Sequence, residues 1–153
     1  MNKKKVDSMI PYAVAAIEKY MMTEDKKDNA IPKEMRGYVS SFGAAVNNGS
    51  LLSAVMFFSS DKGSTQERSK ITKAIYSILE NKHKDEGNND MSEGTSPNKS
   101  NIKDEGDNCE EEKKLFQYVI RKQERGEEKS CKEEILDAAI ALKLAMNAFT
   151  LVG

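Results

Sequence analysis

Length and composition favour a single globular domain, because the chain has 153 residues, of which 38% are hydrophobic and 32% are charged. The formal net charge of -1 indicates neither a nucleic-acid-binding protein nor an acidic tail protein, so local charge has to decide between function classes. No apolar run is long enough to span a bilayer, and the basic start is not followed by a signal-peptide core. The two cysteines form no ligand or redox pattern. We therefore expect a reduced, cytoplasmic protein without a membrane partner.

The first two helices are predicted from apolar residues at helical spacing. Ser8 to about Met22 carries one such stripe, and Pro11 falls near its first turn, where proline is tolerated. A second helix follows Pro32 and ends at Asn48-Gly49. The apolar stripe of this second helix consists of Met35, Tyr38, Val39, Phe42 and Val46, and its other side groups Lys33, Arg36, Ser40, Gly43 and Asn47.

The third and fourth segments also favour helices. About Ser50 to Ser59 is apolar on nearly all faces, which is typical of a helix at the centre of a bundle. It is also short enough for a buried strand, but no partner strand is evident, so we reject that alternative. Ser64 to Glu67 has the form of a capping box and predicts a fourth helix with the stripe Ile71, Ala74 or Ile75, Ile78 and Leu79.

The helical pattern is interrupted at residues 84–108. These 25 residues include only two apolar ones, together with three glycines, seven acidic residues and three lysines. Such a segment cannot bury enough apolar surface to offset the entropy of ordering it, so we predict a flexible acidic insertion within one domain that spans residues 1–153.

Helical spacing resumes after the insertion. Asn108 is predicted to cap a fifth helix that ends at Gly126, and Ser130 to Glu133 forms a second capping box before a sixth helix that runs to about Phe149. The predicted fold class is therefore all-α, a compact bundle of about six helices with one long flexible acidic loop.

Catalytic chemistry is sparsely represented. His83 is the only histidine, and we interpret it as a surface residue beside the insertion. Cys109 and Cys131 stand at predicted helix starts, where a thiol can be acidified, but without a nearby histidine an ordinary thiol is favoured for each. No metalloprotease, zinc, dinucleotide or Walker pattern occurs. We expect a protein that is not an enzyme and has no cofactor, metal or small-molecule substrate.

Local charge is more informative than the total. Outside residues 84–108 the chain has 21 basic and 18 acidic residues. On the polar side of the second helix, Lys33 and Arg36 accompany the small or amide residues Ser40 and Asn47, a combination suited to phosphate-backbone contacts. Lys143, between two leucines of the sixth helix, can extend to water, pair with an acid or project towards a partner. A merely solvated helix face and a surface for a protein neighbour both remain open from composition.

Three blocks of the sequence resemble one family. Ile31–Ala44 (IPKEMRGYVSSFGA), followed by Gly49–Leu52 and Phe57–Ser59, resembles the small-subunit family of CRISPR type III-B effector complexes (Cmr subunit five). The opening Met9–Ala13 is similar to that family's first helix, and Lys132–Met146 (KEEILDAAIALKLAM) looks like its last. Together these blocks extend over most of the chain outside the insertion, which the family usually lacks.

The resemblance implies a non-catalytic function in antiviral defence. Small subunits of this family are compact helical bundles that stack along a filament of backbone subunits holding guide RNA and target RNA. The implied partners are therefore the backbone subunit, neighbouring small subunits, and both RNAs, with protein contacting the RNA backbone while base pairing reads sequence. Lys33, Arg36 and Lys143 match basic positions in the resembling blocks, so the resemblance implies that they contact RNA. Ser40 and Asn47, from the polar side of the second helix, complete the set of residues that we expect to bind RNA.

The main alternative is a helical adaptor for protein partners with no role in nucleic-acid binding. An adaptor should have a contiguous exposed apolar patch and lack a continuous basic stripe.

Deletion of residues 84–108 should leave folding and assembly intact, because the segment has little apolar surface to contribute to the core. Far-UV circular dichroism of the deletion variant checks this expectation, and loss of the helical spectrum would refute it.

Overall fold

Six α-helices account for most of the residues that the structure describes. The computed structural model describes residues 3–22, 30–59, 66–85 and 107–152, with side chains from residue 68 and from residue 114 onward in the last two ranges. The helices are α1 (Lys3–Tyr20), α2 (Glu34–Asn48), α3 (Leu51–Ser59), α4 (Gln66–Asp85), α5 (Asp107–Glu124) and α6 (Glu128–Ala145). The all-α prediction is confirmed, whereas the insertion lies outside the described residues apart from the helix ends that flank it.

A short parallel sheet joins two distant parts of the chain. Strand β1 (Ala30–Pro32) pairs with β2 (Thr150–Val152), with Ile31 opposite Leu151. The Lys33 N–H then donates to the carbonyl of Val152 at 2.8 Å. These two strands were not predicted, because three-residue strands are too short to show an alternating pattern in the sequence.

This sheet sets the relative placement of α2 and α6. Only Lys33 separates β1 from α2, and only a 3-10 turn (Met146–Ala148) and Phe149 separate α6 from β2. The start of α2 and the end of α6 therefore lie at the same end of the molecule. We call this the strand end.

The core is continuous across all six helices. On α2 the residues Met35, Val39, Phe42 and Val46 are buried, as their spacing predicts, while Tyr38 is only partly buried. The rings of Phe42 and Phe58 meet edge to face at 5.2 Å, which joins α2 to α3. The interpretation of α3 as buried on nearly all faces needs correction, because Met56 and Phe57 are 55% and 57% exposed.

Several helix boundaries differ from the sequence-based predictions. α1 begins at Lys3 rather than Ser8, because Val6 and Met9 extend the buried stripe towards the start, and Pro11 therefore lies inside the helix. At the other end of the chain, α6 begins before the predicted capping box at Ser130. The carbonyl of Glu127 already accepts from the N–H of Cys131 at 3.0 Å, so the helical hydrogen bonds start there without a side-chain cap.

The turn between α5 and α6 is built on one glycine. Gly126 has a φ of +75°, the left-handed conformation that favours glycine, and it ends α5 as predicted. Asn108, predicted as the cap of α5, lies inside its first turn instead, because the helix already begins at Asp107.

No helix in the described ranges is both long and apolar enough to cross a membrane.

Substitution of Phe42 with alanine should lower the free energy of unfolding by about 3–5 kcal/mol, because it removes a fully buried ring and leaves a cavity. Urea denaturation measures the effect. Ser41→Ala, an exposed change on the same helix, is the matched control and should stay within about 0.5 kcal/mol of wild type. Equal effects of the two substitutions would contradict the assigned core.

Candidate functional site: a groove between α2 and α6

A groove of about 640 Å³ lies between α2 and α6, and Lys5 near the start of α1 also lines it. Helix α2 contributes small and polar side chains, and α6 contributes both apolar and charged ones. The lining residues are Lys5, Val39, Ser40, Gly43, Ala44, Asn47, Glu133, Leu136, Asp137, Ala139, Ile140 and Lys143.

The side chains that α2 contributes to the groove include several small ones. Ser40, Gly43 and Ala44 lie within two turns of the helix, and a Cβ placed on Gly43 would meet nothing within 4 Å. Gly43 is therefore not required for close packing within the chain. The space above it is available to another molecule.

The structure brings together predicted residues from two distant parts of the sequence. Ser40 and Asn47 from α2 line the same groove as Lys143 from α6. Lys33 and Arg36 are not among the lining residues. Their spacing places them on the same helical face as Ser40, one to two turns nearer the strand end, where Lys33 is exposed and Arg36 is partly buried.

The groove has a mixed electrostatic character that the sequence did not predict. Glu133 and Asp137 lie one turn apart on α6 and both line it, together with Lys5 from α1. Lys143 is exposed and lies six residues beyond Asp137, about 9 Å further along the helix towards the strand end. Positive charge from α2 and α6 therefore gathers at the strand end, and carboxylates occupy the part further from it.

A second polar cluster lies outside the groove lining. Nε2 of His83 on α4 lies 2.8 Å from Oε2 of Glu134 on α6, and the hydroxyl of Tyr118 on α5 donates to Oε1 of the same carboxylate at 2.6 Å. The His83 contact has the distance of an ion pair but is not aligned as a hydrogen bond, and both ring nitrogens lack a hydrogen-bond partner among the described residues. One carboxylate thus connects three helices.

The interpretation of His83 as a surface residue is wrong. It is 7% exposed, because the end of α4 packs against α5 and α6 instead of extending into solvent. The sequence signal that could have indicated this is its position four residues after Leu79, which continues the buried stripe of α4.

Burial and neighbouring charges shift two groups in this cluster. Burial alone would raise the pKa of Glu134, but the contacts with His83 and Tyr118 outweigh it and hold the pKa below its usual value. Burial, helped by Glu134, raises the pKa of the Cys131 thiol to about 12. Cys131 is therefore an ordinary buried thiol at neutral pH, not an acidified one, and the side chain of Cys109 lies outside the described residues.

Metal ligation has little basis in the described part of the chain, where no three His, Cys, Asp or Glu side chains group as a metal site would require. The groove can offer hydrogen bonds, the exposed cation Lys143 at its strand end, and an apolar floor from Leu136 and Ile140. The expectation that the protein is not an enzyme stays a prediction.

Comparison of the chain with protein-family models, with curated proteins and with solved structures finds no match.

Replacement of Glu134 with glutamine should lower the free energy of unfolding at neutral pH by about 1–3 kcal/mol, because the charged carboxylate that accepts from Tyr118 and lies against His83 is lost. The folded-state pKa of Glu134 is lowered, so its contribution is fully present above the usual glutamate pKa of 4.5 and is lost as pH falls through the folded value. The difference between wild type and Glu134→Gln should therefore shrink in acid.

Urea denaturation at a series of pH values measures this difference. Glu133→Gln, the exposed neighbouring glutamate, is the matched control and should change stability by less than about 0.5 kcal/mol at every pH. A Glu134→Gln effect that does not vary with pH would contradict the assigned ionised carboxylate.

Proposed function

We propose that the chain is a non-catalytic small subunit of a type III-B CRISPR effector complex, and that it contacts the RNA backbone at the strand end of the groove. One observation carries the proposal. Ser40 comes from one block of the family resemblance and Lys143 comes from another, and both line a single groove, which Asn47 near the far end of α2 also lines.

The chemistry of the strand end suits phosphate. Lys143 and Lys33 are exposed cations, and Arg36 adds a planar guanidinium that can bind a phosphate through two hydrogen bonds. Such contacts position a protein on RNA without reading its sequence. The exposed carboxylate of Glu133 would repel phosphate, so the RNA backbone should pass the strand end and avoid the far part of the groove. Asn47 lies in that far part, so it is not expected to contact the RNA.

The resemblance also supports the proposed protein partners. A small subunit that lies beside a filament needs separate surfaces for the backbone subunit and for a neighbouring small subunit. In the proposed arrangement the basic strand end faces RNA, which leaves the remaining helix faces for protein contacts. Cleavage of target RNA belongs to other subunits.

The groove also favours one alternative function. Its apolar floor of Leu136 and Ile140, beside the exposed Glu133, matches what an amphipathic helix with a basic flank would need. In that case the chain is an adaptor for a protein partner, and charge reversal at the strand end would leave RNA association unchanged.

Charge reversal at Lys33, Arg36 and Lys143 should weaken RNA binding similarly for unrelated RNA sequences, because phosphate contacts are independent of sequence. For single-stranded RNA, each lost contact should lower the slope of log affinity against log salt by about 0.7. Filter binding at about 50 and 200 mM salt measures both quantities.

Lys129→Glu is the matched control, since Lys129 is an exposed cation on α6 that does not line the groove. It should affect binding less than Lys143→Glu. Wild-type protein that neither binds RNA at low salt nor joins a filament of backbone subunits would rule out the proposed function.

A further inference from the structure

A cation lies against two aromatic rings on the flank of α2 away from the groove. The guanidinium carbon of Arg68 on α4 is 5.7 Å from the ring centre of Tyr38 and 5.2 Å from that of Phe57 on α3. Tyr38 is two residues from Arg36, so about 160° of helix rotation separates this cluster from the groove face. The three residues, which we call the aromatic cluster, form a separate surface.

Phe57 is exposed to solvent, and its ring also contacts a neighbouring ring that packs on the core. Its side chain is 57% exposed. Its ring meets Phe58 edge to face at 5.5 Å, and Phe58 meets the buried Phe42 at 5.2 Å. This series of ring contacts connects Phe57 to the core and restricts its rotation. A large apolar ring that is both exposed and held in place is suited to contact a partner without a large entropic cost.

The size and charge of the cluster indicate what kind of partner fits. Among the described residues of α3, only Met56 and Phe57 expose large apolar side chains, much less than the roughly 800 Å² that each partner buries in a standard protein interface. The cluster therefore matches one planar group better than a protein surface. The adjacent guanidinium favours a ligand that carries negative charge next to its planar part.

We propose that the aromatic cluster binds an unpaired base of single-stranded RNA. The base stacks on the open face of Phe57, and Arg68, held against Tyr38 and Phe57, contacts the phosphate beside it. Every base has a π-face, so the contact tolerates any sequence but requires an unpaired strand. This inference rests on the proposed RNA-binding function and adds to it a second contact with a different ligand requirement.

Two substitutions separate stacking from mere apolar contact. Phe57→Leu keeps an apolar side chain but removes the ring, and should weaken binding of a short single-stranded RNA about 5- to 100-fold. Phe57→Tyr keeps the ring and should bind as wild type does. Neither substitution should change the affinity for double-stranded RNA, whose bases are not available for stacking. Circular dichroism and urea denaturation establish that both variants fold.

A fluorescent base analogue reports the contact directly. A single-stranded RNA that carries one 2-aminopurine should lose emission on binding to wild type and to Phe57→Tyr, and should lose less on saturation of Phe57→Leu. The chain has no tryptophan, so protein emission does not obscure the signal. Equal affinity and equal quenching for wild type and Phe57→Leu would overturn the proposal, as would an equal loss of single- and double-stranded binding in Phe57→Leu.

The groove variants distinguish this failure from failure of the proposed function. If Lys143→Glu weakens binding and Phe57→Leu does not, the aromatic cluster is not an RNA site and the groove proposal stands. If only Phe57→Leu weakens binding, the cluster binds RNA and the groove does not. Loss of protein–protein association in Phe57→Leu with unchanged RNA affinity would show that the cluster serves a protein partner and would contradict the proposal.

Discussion

The pairing of β1 with β2 is the constraint on which the candidate site depends. A two-stranded sheet of three residues per strand is marginal by itself, so it relies on burial of Ile31 and Phe149 in the core. Once formed, it holds the start of α2 beside the end of α6, which are more than 110 residues apart in the sequence. The groove and its basic strand end follow from that placement.

The surface of the molecule has two regions that differ in the side chains they expose. The groove has cations at the strand end and carboxylates further along, whereas the aromatic cluster occupies the other flank of α2. The shared carboxylate of Glu134 ties α4, α5 and α6 together away from both surfaces. In this arrangement α2 contributes to two separate contact surfaces, and the proposed RNA contacts use a phosphate-binding mode on one and a base-stacking mode on the other.

Helical periodicity was sufficient to predict the fold class, because Met35, Val39, Phe42 and Val46 recur at a spacing that only a helix can bury on one side. The sheet could not be predicted, since its strands are short and their pairing is non-local. Helical spacing was also sufficient to place Ser40 and Asn47 on one helix face, and both line the groove. Glu133 was missed because a charged run normally indicates solvent. Asp137 stands among apolar residues and is buried, and only the packing of α6 against α2 places both residues at the groove.

The most direct test of the central claim is to map RNA crosslinks to individual lysines in a complex reconstituted from this chain, a backbone-subunit filament, guide RNA and target RNA. We predict crosslinks at Lys33 and Lys143, both exposed at the strand end, and none at Lys129, which is exposed on the same helix as Lys143 but outside the groove. Crosslinks at Lys129 without any at Lys33 or Lys143 would contradict the account.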